Sequence, residues 1–295
     1  MHAQQPFSPV IAGTMNWGLW GSRFNTQDYL KLISTCLELG ISTFDHADIY
    51  GHYTTEEEFG NALALHRGLR KDLQLITKCG IRMVTANRTE HKIKSYDTSA
   101  RHVIQSVERS LINLRTDYLD LLLLHRPDHL MDPDEIATAF TKLKESGKVL
   151  HFGVSNFSPS QCQLIQSRYP LLANQIELSI LHLDPFSNGT LDHCKNTGLI
   201  PMAWGPLGGG RLFMDESDER NKRVLAMARI LGDQYQRSPE QILISWLLTH
   251  PSGILPVLGT SKPERLKAAI EVKDFRLPRE EWYMLWRAST GKEVP

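Results

Sequence analysis

The sequence predicts an α/β protein: an eight-stranded parallel (β/α)8 TIM barrel, one domain spanning residues 1–295. Three observations predict it. Short apolar runs alternate with amphipathic stretches almost from end to end, in about eight strand–helix units, which implies a parallel sheet covered by helices. No linker, low-complexity tract or shift in composition interrupts the alternation. The length of 295 residues also suits a closed barrel, typically ~250 residues. The competing architecture is an open doubly wound sheet. For dinucleotide binding it would normally open on a glycine-rich fingerprint, and G-x-G-x-x-G is absent. The only glycine cluster, Gly208-Gly209-Gly210, follows a late strand.

The elements follow in order. A first strand is expected near residues 14–17. Residues 26–39 have helical spacing and stop at Gly40, a good C-terminal breaker. Residues 41–45 read as a strand, 55–65 as a helix and 73–78 as a strand. The helix over 99–114 places Val103, Ile104, Val107, Leu111 and Leu114 on one face. A buried strand follows at 120–125, then a helix over 133–146 ended by Gly147 and a strand over 149–154. Ser158 caps a helix through Arg168, with Pro159 in its first turn. Strands are expected at 173–176, 200–203 and 254–258, with helices at 190–197, 222–236, 239–248 and 263–270.

Composition narrows the function. The 33 basic and 33 acidic residues cancel, so no global field recruits nucleic acid or an anionic membrane. Cys36, Cys79, Cys162 and Cys194 are scattered, without C-x-x-C or zinc-ligand spacing, which reads as free thiols in a reducing compartment. Residues 1–8 carry no secretory pattern, and the apolar stretch 119–124, interrupted by Asp120, is far too short to span a bilayer. The expectation is a soluble cytoplasmic protein.

In a barrel, the C-terminal strand ends meet at one face, and that face holds the chemistry. The run F-D-H-A-D-I-Y-G-H-Y over 44–53 closes the second strand with Asp45 and places Tyr50 five residues on. The third strand ends in Lys78, and the fourth, L-D-L-L-L-L-H, in His125. Ser155, Asn156, Asn174, Gln175 and Trp204 sit at later strand ends. Singly, Asp45 reads as a turn residue, Tyr50 as a rim aromatic, Lys78 as a solvated cap and His125 as a buried core histidine. Jointly they suit one task. An unperturbed tyrosine titrates at about 10, and a nearby ammonium lowers that value. Lys78 would supply the charge, Asp45 would hold Lys78, and His125 would orient a substrate oxygen. Such a tyrosine protonates a carbonyl oxygen. No nucleophile is evident, so a cofactor should carry the electrons.

The segment F-D-H-A-D-I-Y-G, the strand L-I-T-K, the run S-L-I-N-L-R-T-D-Y-L-D-L-L-L-L-H, and G-V-S-N-F, N-Q-I-E and G-T-S-K-P-E-R-L together resemble the aldo-keto reductase family over nearly the whole chain. The resemblance implies NADPH/NADP as cofactor and Asp45, Tyr50, Lys78 and His125 as the catalytic tetrad. It implies that Ser155, Asn156 and Gln175 hold the nicotinamide carboxamide, and that Trp204 stacks on the ring. Leu207, Gly209, Gly210 and Arg211 match the loop over the pyrophosphate. Ser261, Lys262 and Arg265 match the positions holding the adenosine phosphate, where a basic pair favours NADPH. The chain departs from the family at His46, which replaces a small residue and is expected to line the mouth. It departs again at Ala268 and Ala269, where many members carry Glu and Asn against adenine. Trp17 and Trp20 are candidates for the pocket wall, or for packing between helix and barrel. Specificity is expected in the loops at His129 and 215–220 and in the tail 275–295.

The leading reading is an NADPH-dependent oxidoreductase that reduces aldehyde or ketone carbonyls of a small-molecule substrate. The alternative is an NADP-binding regulatory or interaction subunit with little turnover, since a fold does not fix a function. A metal-dependent hydrolase is suggested by Asp45, His46, Asp48 and His52, but the early His-x-His of such barrels is missing, and no metal is expected. Neither nucleic acid nor membrane is expected as a partner. The oligomeric state is open, and the resemblance permits a monomer.

Overall fold

A computed structural model describes residues 6–215 and 217–294. Residues 1–5, Glu216 and Pro295 lie outside the described residues, and with them parts of the N-terminal stretch, the 215–220 loop and the tail considered above. The first half of the chain runs β1 (Ile11–Gly13), α1 (Thr26–Glu38), β2 (Thr43–Asp45), α2 (Tyr50–Tyr53), α3 (Thr55–Leu65), β3 (Gln74–Cys79), β4 (Ile81–Arg82), β5 (Ser95–Tyr96), α4 (Ala100–Leu114), β6 (Leu119–Leu124) and α5 (Pro133–Glu145). The second half runs β7 (Val149–Ser155), α6 (Pro159–Gln166), β8 (Ala173–Glu177), α7 (Thr190–Thr197), β9 (Ile200–Trp204), α8 (Arg211–Met214), α9 (Glu219–Tyr235), α10 (Pro239–Leu248), β10 (Leu255–Leu258), α11 (Pro263–Ile270) and α12 (Arg279–Thr290).

Eight of these strands close into a parallel barrel in the order β1-β10-β9-β8-β7-β6-β3-β2. The seam pairs Ile11 with Val257 and Ala12 with Leu258. Both faces of each strand are covered, so β6 reads as an almost unbroken leucine run. Alternation sorts that run. Leu121 and Leu123 join Ile11, Ile76, Met202 and Val257 in one core cluster. Leu122 and Leu124 join the larger cluster containing Phe140 and Val107 from the surrounding helices. Helices start where side chains satisfy their first N–H groups: Asn25, Ser158 and Ser238 each form a reciprocal capping box, with Asp28, Gln161 and Gln241.

The first strand lies at Ile11–Gly13 and not at 14–17. Val10, Ile11 and Ala12 are the fully buried run there, and Thr14 already begins the turn. Further elements were not anticipated, among them the short helices α2 and α8. A short antiparallel hairpin pairs Ile81 with Tyr96 and Arg82 with Ser95. Most of the expected tail is the helix α12. Its Trp282 stacks on Trp246 at 4.8 Å, and each indole N–H donates to the other residue's carbonyl, at 2.9 and 3.1 Å. All four cysteines are free and buried. Among the described residues no helix is long and apolar enough to cross a membrane.

Candidate active site

Strand ends position the polar residues. Asp45 closes β2, Lys78 lies near the end of β3, His125 follows β6, and Tyr50 opens α2. All four are buried, at 2%, 1%, 7% and 8% exposure respectively. Lys78 Nζ donates to Asp45 Oδ2 at 2.8 Å, to the His46 carbonyl at 2.8 Å and to Tyr50 OH at 3.1 Å. An ammonium has three hydrogens, so its donor capacity is fully used. The other carboxylate oxygen of Asp45 accepts from Gln175 Nε2 at 2.8 Å. The edge of the His125 ring meets Tyr50, with centroids 6.1 Å apart.

Electrostatics correct one expectation. Burial pushes the Tyr50 phenol above its ordinary value; the Lys78 charge and hydrogen bond oppose this but do not overcome it. Desolvation of the phenolate therefore outweighs the neighbouring cation, and the phenol stays protonated at neutral pH. For Lys78, burial works against the charge, but Asp45 and Tyr50 more than offset it and the net direction is upward. Burial, then the charges of Lys78 and Arg126, hold His125 well below its ordinary value, so it is neutral. Its Nδ1 is buried without a partner among the described residues.

The turn after Tyr50 is strained. Gly51, His52 and Tyr53 all have positive φ, at 60°, 57° and 73°. A Cβ at residue 51 would stand 2.5 Å from Thr55 Oγ1, so glycine is required there. His52 and Tyr53 lack that freedom, and such conformations persist where surroundings over-determine them. Here the loop around β4 does so. Tyr53 OH donates to the Ile81 carbonyl at 3.3 Å and accepts from Met83 N–H at 3.0 Å. Asn87 Nδ2 donates to the His52 carbonyl at 2.8 Å, and the Arg88 guanidinium lies 4.5 Å from the Tyr53 ring centroid. The sequence reading missed this support; only Gly51, directly after Tyr50, hints at an unusual backbone there.

Ser155, Asn156, Gln175 and Trp204 converge at the ends of β7, β8 and β9. Asn156 Oδ1 accepts from Trp204 Nε1 at 3.0 Å and from Glu177 N–H at 3.3 Å, while its Nδ2 donates to Ser155 Oγ at 2.8 Å. Leu207 leads into Gly208, Gly209 and Gly210, all at positive φ, and Arg211 Nε donates back to the Gly208 carbonyl at 3.0 Å. Ser261 Oγ accepts from Ser22 Oγ at 2.7 Å, tying the loop after β10 to the loop after β1. Lys262 and Arg265 are exposed and form no ion pair among the described residues. Ala269 is buried in the large core cluster, and the Ala268 carbonyl accepts from Gln241 Nε2 at 2.9 Å.

Three residues fall elsewhere than the mouth-lining reading places them, or only partly there. His46 is fully buried; its ring meets Phe59 at 4.4 Å and its Nδ1 lies 2.9 Å from Thr14 Oγ1. It does not line the mouth; its carbonyl serves Lys78. Burial, then the Lys78 charge, push its pKa down to about 3. Trp17 is fully buried among Phe24, Tyr29, Phe44 and Phe59, so it packs and does not wall a pocket. Trp20 is half-buried with its ring 6.0 Å from Tyr50 and 5.4 Å from His52, beside the tetrad. Arg126, which the sequence reading passed over, is half-buried next to His125, and its guanidinium lies 5.6 Å from the Trp204 ring centroid. Among the described residues no group of three His, Cys, Asp or Glu side chains could hold a metal ion.

The donor set fits a nicotinamide dinucleotide. Two amides and a hydroxyl with unused capacity sit beside a flat indole face, a glycine turn follows, and two exposed cations have no ion-pair partner among the described residues. Such groups suit an amide, a planar ring and phosphates in turn.

A sequence model of the Aldo/keto reductase family matches residues 9–289. An uncharacterized oxidoreductase of Bacillus subtilis (strain 168) is 45% identical over 291 residues, covering 98% of this chain and 96% of that protein. A 6-dehydroglucose reductase of Agrobacterium fabrum (strain C58 / ATCC 33970) is 43% identical over 264 residues, covering 89% and 88%. The glycerol dehydrogenase structure from Gluconobacter oxydans superposes with a TM-score of 0.85 at 24% identity, covering 99% of this chain and 95% of that one, which shows the shared barrel.

Proposed function

The chain belongs to the aldo-keto reductase family, and from that premise we propose that it is an NADPH-dependent oxidoreductase reducing aldehyde or ketone carbonyls to alcohols, with Tyr50 as proton donor. The observation that carries this reading is the buried 3.1 Å hydrogen bond from Lys78 Nζ to Tyr50 OH. When bound, NADPH supplies the hydride that the carbonyl carbon takes up, leaving as NADP. Tyr50 gives its phenolic proton to the carbonyl oxygen, so that carbonyl, hydride and proton balance as an alcohol. Burial keeps the phenol protonated until that moment, and the Lys78 ammonium then stabilises the phenolate. Asp45 keeps Lys78 charged and fixed, and the neutral His125 orients the carbonyl oxygen.

Ser155, Asn156 and Gln175 would hold the carboxamide, and Trp204 would stack on the ring. Leu207, Gly209, Gly210 and Arg211 would pass along the pyrophosphate. Ser261, Lys262 and Arg265 would hold the adenosine phosphate that distinguishes NADPH from NADH. Because the Agrobacterium relative is named a 6-dehydroglucose reductase, a sugar-derived aldehyde is the first substrate to assay. The test follows absorbance of the reduced nicotinamide over a panel of small carbonyls. Tyr50→Phe should lower turnover by roughly 10²–10⁴-fold while leaving NADPH binding nearly intact. A fully active Tyr50→Phe protein would overturn the assignment.

A further inference from the structure

We propose that Arg126 is a specificity residue: it takes an acceptor oxygen one or two bonds from the reacting carbonyl, so that the preferred substrates are α-oxygenated aldehydes or ketones. The inference rests on the carbonyl-reductase reading above and names its substrate class. Arg126 follows His125 directly, at the mouth of the barrel. Its Nη1 donates to the His125 carbonyl at 3.3 Å, and its guanidinium carbon lies 5.6 Å from the Trp204 ring centroid. Trp204 is itself tied by its indole N–H to Asn156. The guanidinium is thus held between the residue that would orient the carbonyl and the ring beside the nicotinamide.

A guanidinium carries five N–H donors in a fixed fork. Among the described residues Arg126 fills one, at 3.3 Å, and has no carboxylate within 4.0 Å. Its neighbours Tyr50, Tyr96 and Glu177 bear on its charge without bonding it. Water can reach these half-exposed donors, and a ligand that expels it must bring oxygens of its own in exchange. Arg126 follows directly on His125, whose ring meets the Tyr50 ring edge-on at 6.1 Å, so the fork and the phenol share the same end of the barrel. A purely aliphatic carbonyl would cover these donors without satisfying them. A neighbouring hydroxyl or carboxylate would satisfy them, and both share the acceptor-oxygen chemistry.

The test compares kcat/KM for glyceraldehyde, glyoxylate and propanal at saturating NADPH. The wild-type protein should prefer both oxygenated compounds over propanal. In Arg126→Met, which keeps the stem and loses the fork, those preference ratios should fall about tenfold. Arg126→Lys should restore much of the glyoxylate ratio and little of the glyceraldehyde ratio, because a point charge replaces a fork. Unchanged ratios in Arg126→Met would overturn the proposal, whatever the absolute rates. Binding separates this from the chemistry: glyceraldehyde titrated onto the NADP-loaded Tyr50→Phe protein, read by tryptophan fluorescence, should weaken about tenfold on adding Arg126→Met. Equal affinity with and without Arg126 would refute the residue's role even if no carbonyl were ever turned over.

Discussion

Lys78 has no hydrogen to spare, and Asp45 has both oxygens engaged. Such a buried pair is fragile toward one-sided change. Lys78→Met should destabilise the fold by about 3–5 kcal/mol, because it strands a carboxylate in a desolvated site. Adding Asp45→Asn to it should recover part of that loss, as urea midpoints would report. His46 acts in the opposite direction. Unfolded, it takes a proton below about 6.5; folded, only near 3. The unfolded state therefore binds more protons between those values, and stability falls as pH falls through that window. Relative to His46→Thr, the wild-type protein should lose roughly 2 kcal/mol between pH 7 and pH 5. A constant difference across that range, measured by chemical denaturation, would show that His46 does not stay neutral. Asp45, Lys78 and His125 were legible because each lies where a strand's apolar run ends, and Tyr50 because it follows the first of them within one loop. His46 was misread because the alternation that turns Asp45 inward turns its neighbour outward, against Phe59 on α3. For Trp17 the sequence left pocket wall and core packing both open, because a loop's path back into the core leaves no periodic trace; the structure places it in the packing. Arg126 and Tyr53 were invisible for a related reason: their meaning lies in partners from distant segments.

Several helices were found nearly residue for residue from their apolar spacing, such as Thr55–Leu65, Thr190–Thr197 and Pro263–Ile270, although none of these three has a side-chain N-cap hydrogen bond. Pattern signals of that kind are local, and local preference agrees here with the fold. The β4–β5 hairpin escaped because two-residue strands carry no period. Helix α12 escaped because its aromatic residues read as a specificity tail, whereas their role is packing: Phe186 meets Trp246, Trp282 and Trp286 within 6 Å, in a satellite core away from the barrel interior. Packing between α3 and α4 is closest at Gly60, where a Cβ would stand 1.9 Å from the Asn113 carbonyl oxygen. Backbone cannot yield as a side-chain tip does. Gly60→Ala should therefore cost about 1–3 kcal/mol, despite the better helix propensity of alanine, and a thermal melt unchanged from wild type would contradict this packing account.

Across the whole barrel, the Asp45–Gln175 hydrogen bond joins strands β2 and β8, which stand half-way round the ring from each other. The residues proposed to handle the proton all come from the first half of the chain, and the proposed coenzyme contacts all come from the second. Coenzyme binding should accordingly stabilise the assembled barrel by mass action, by about 2.7 kcal/mol at a hundredfold excess over Kd. Arg265→Ala should remove most of the thermal shift given by NADPH and little of that given by NADH. Equal losses for both would show that Arg265 does not read the extra phosphate. The seam between β1 and β10 has a consequence of its own, because Ile11 finds its partner only in Val257. The first strand to emerge from the ribosome waits with one edge bare until the last strand has been translated. A nascent chain stalled before Val257 would already hold every member of the tetrad and still have no shut wall around it. Quality control would meet an adhesive cylinder one strand short of closure, not a truncated catalyst, and the brevity of that first strand limits what can stick to it in the meantime.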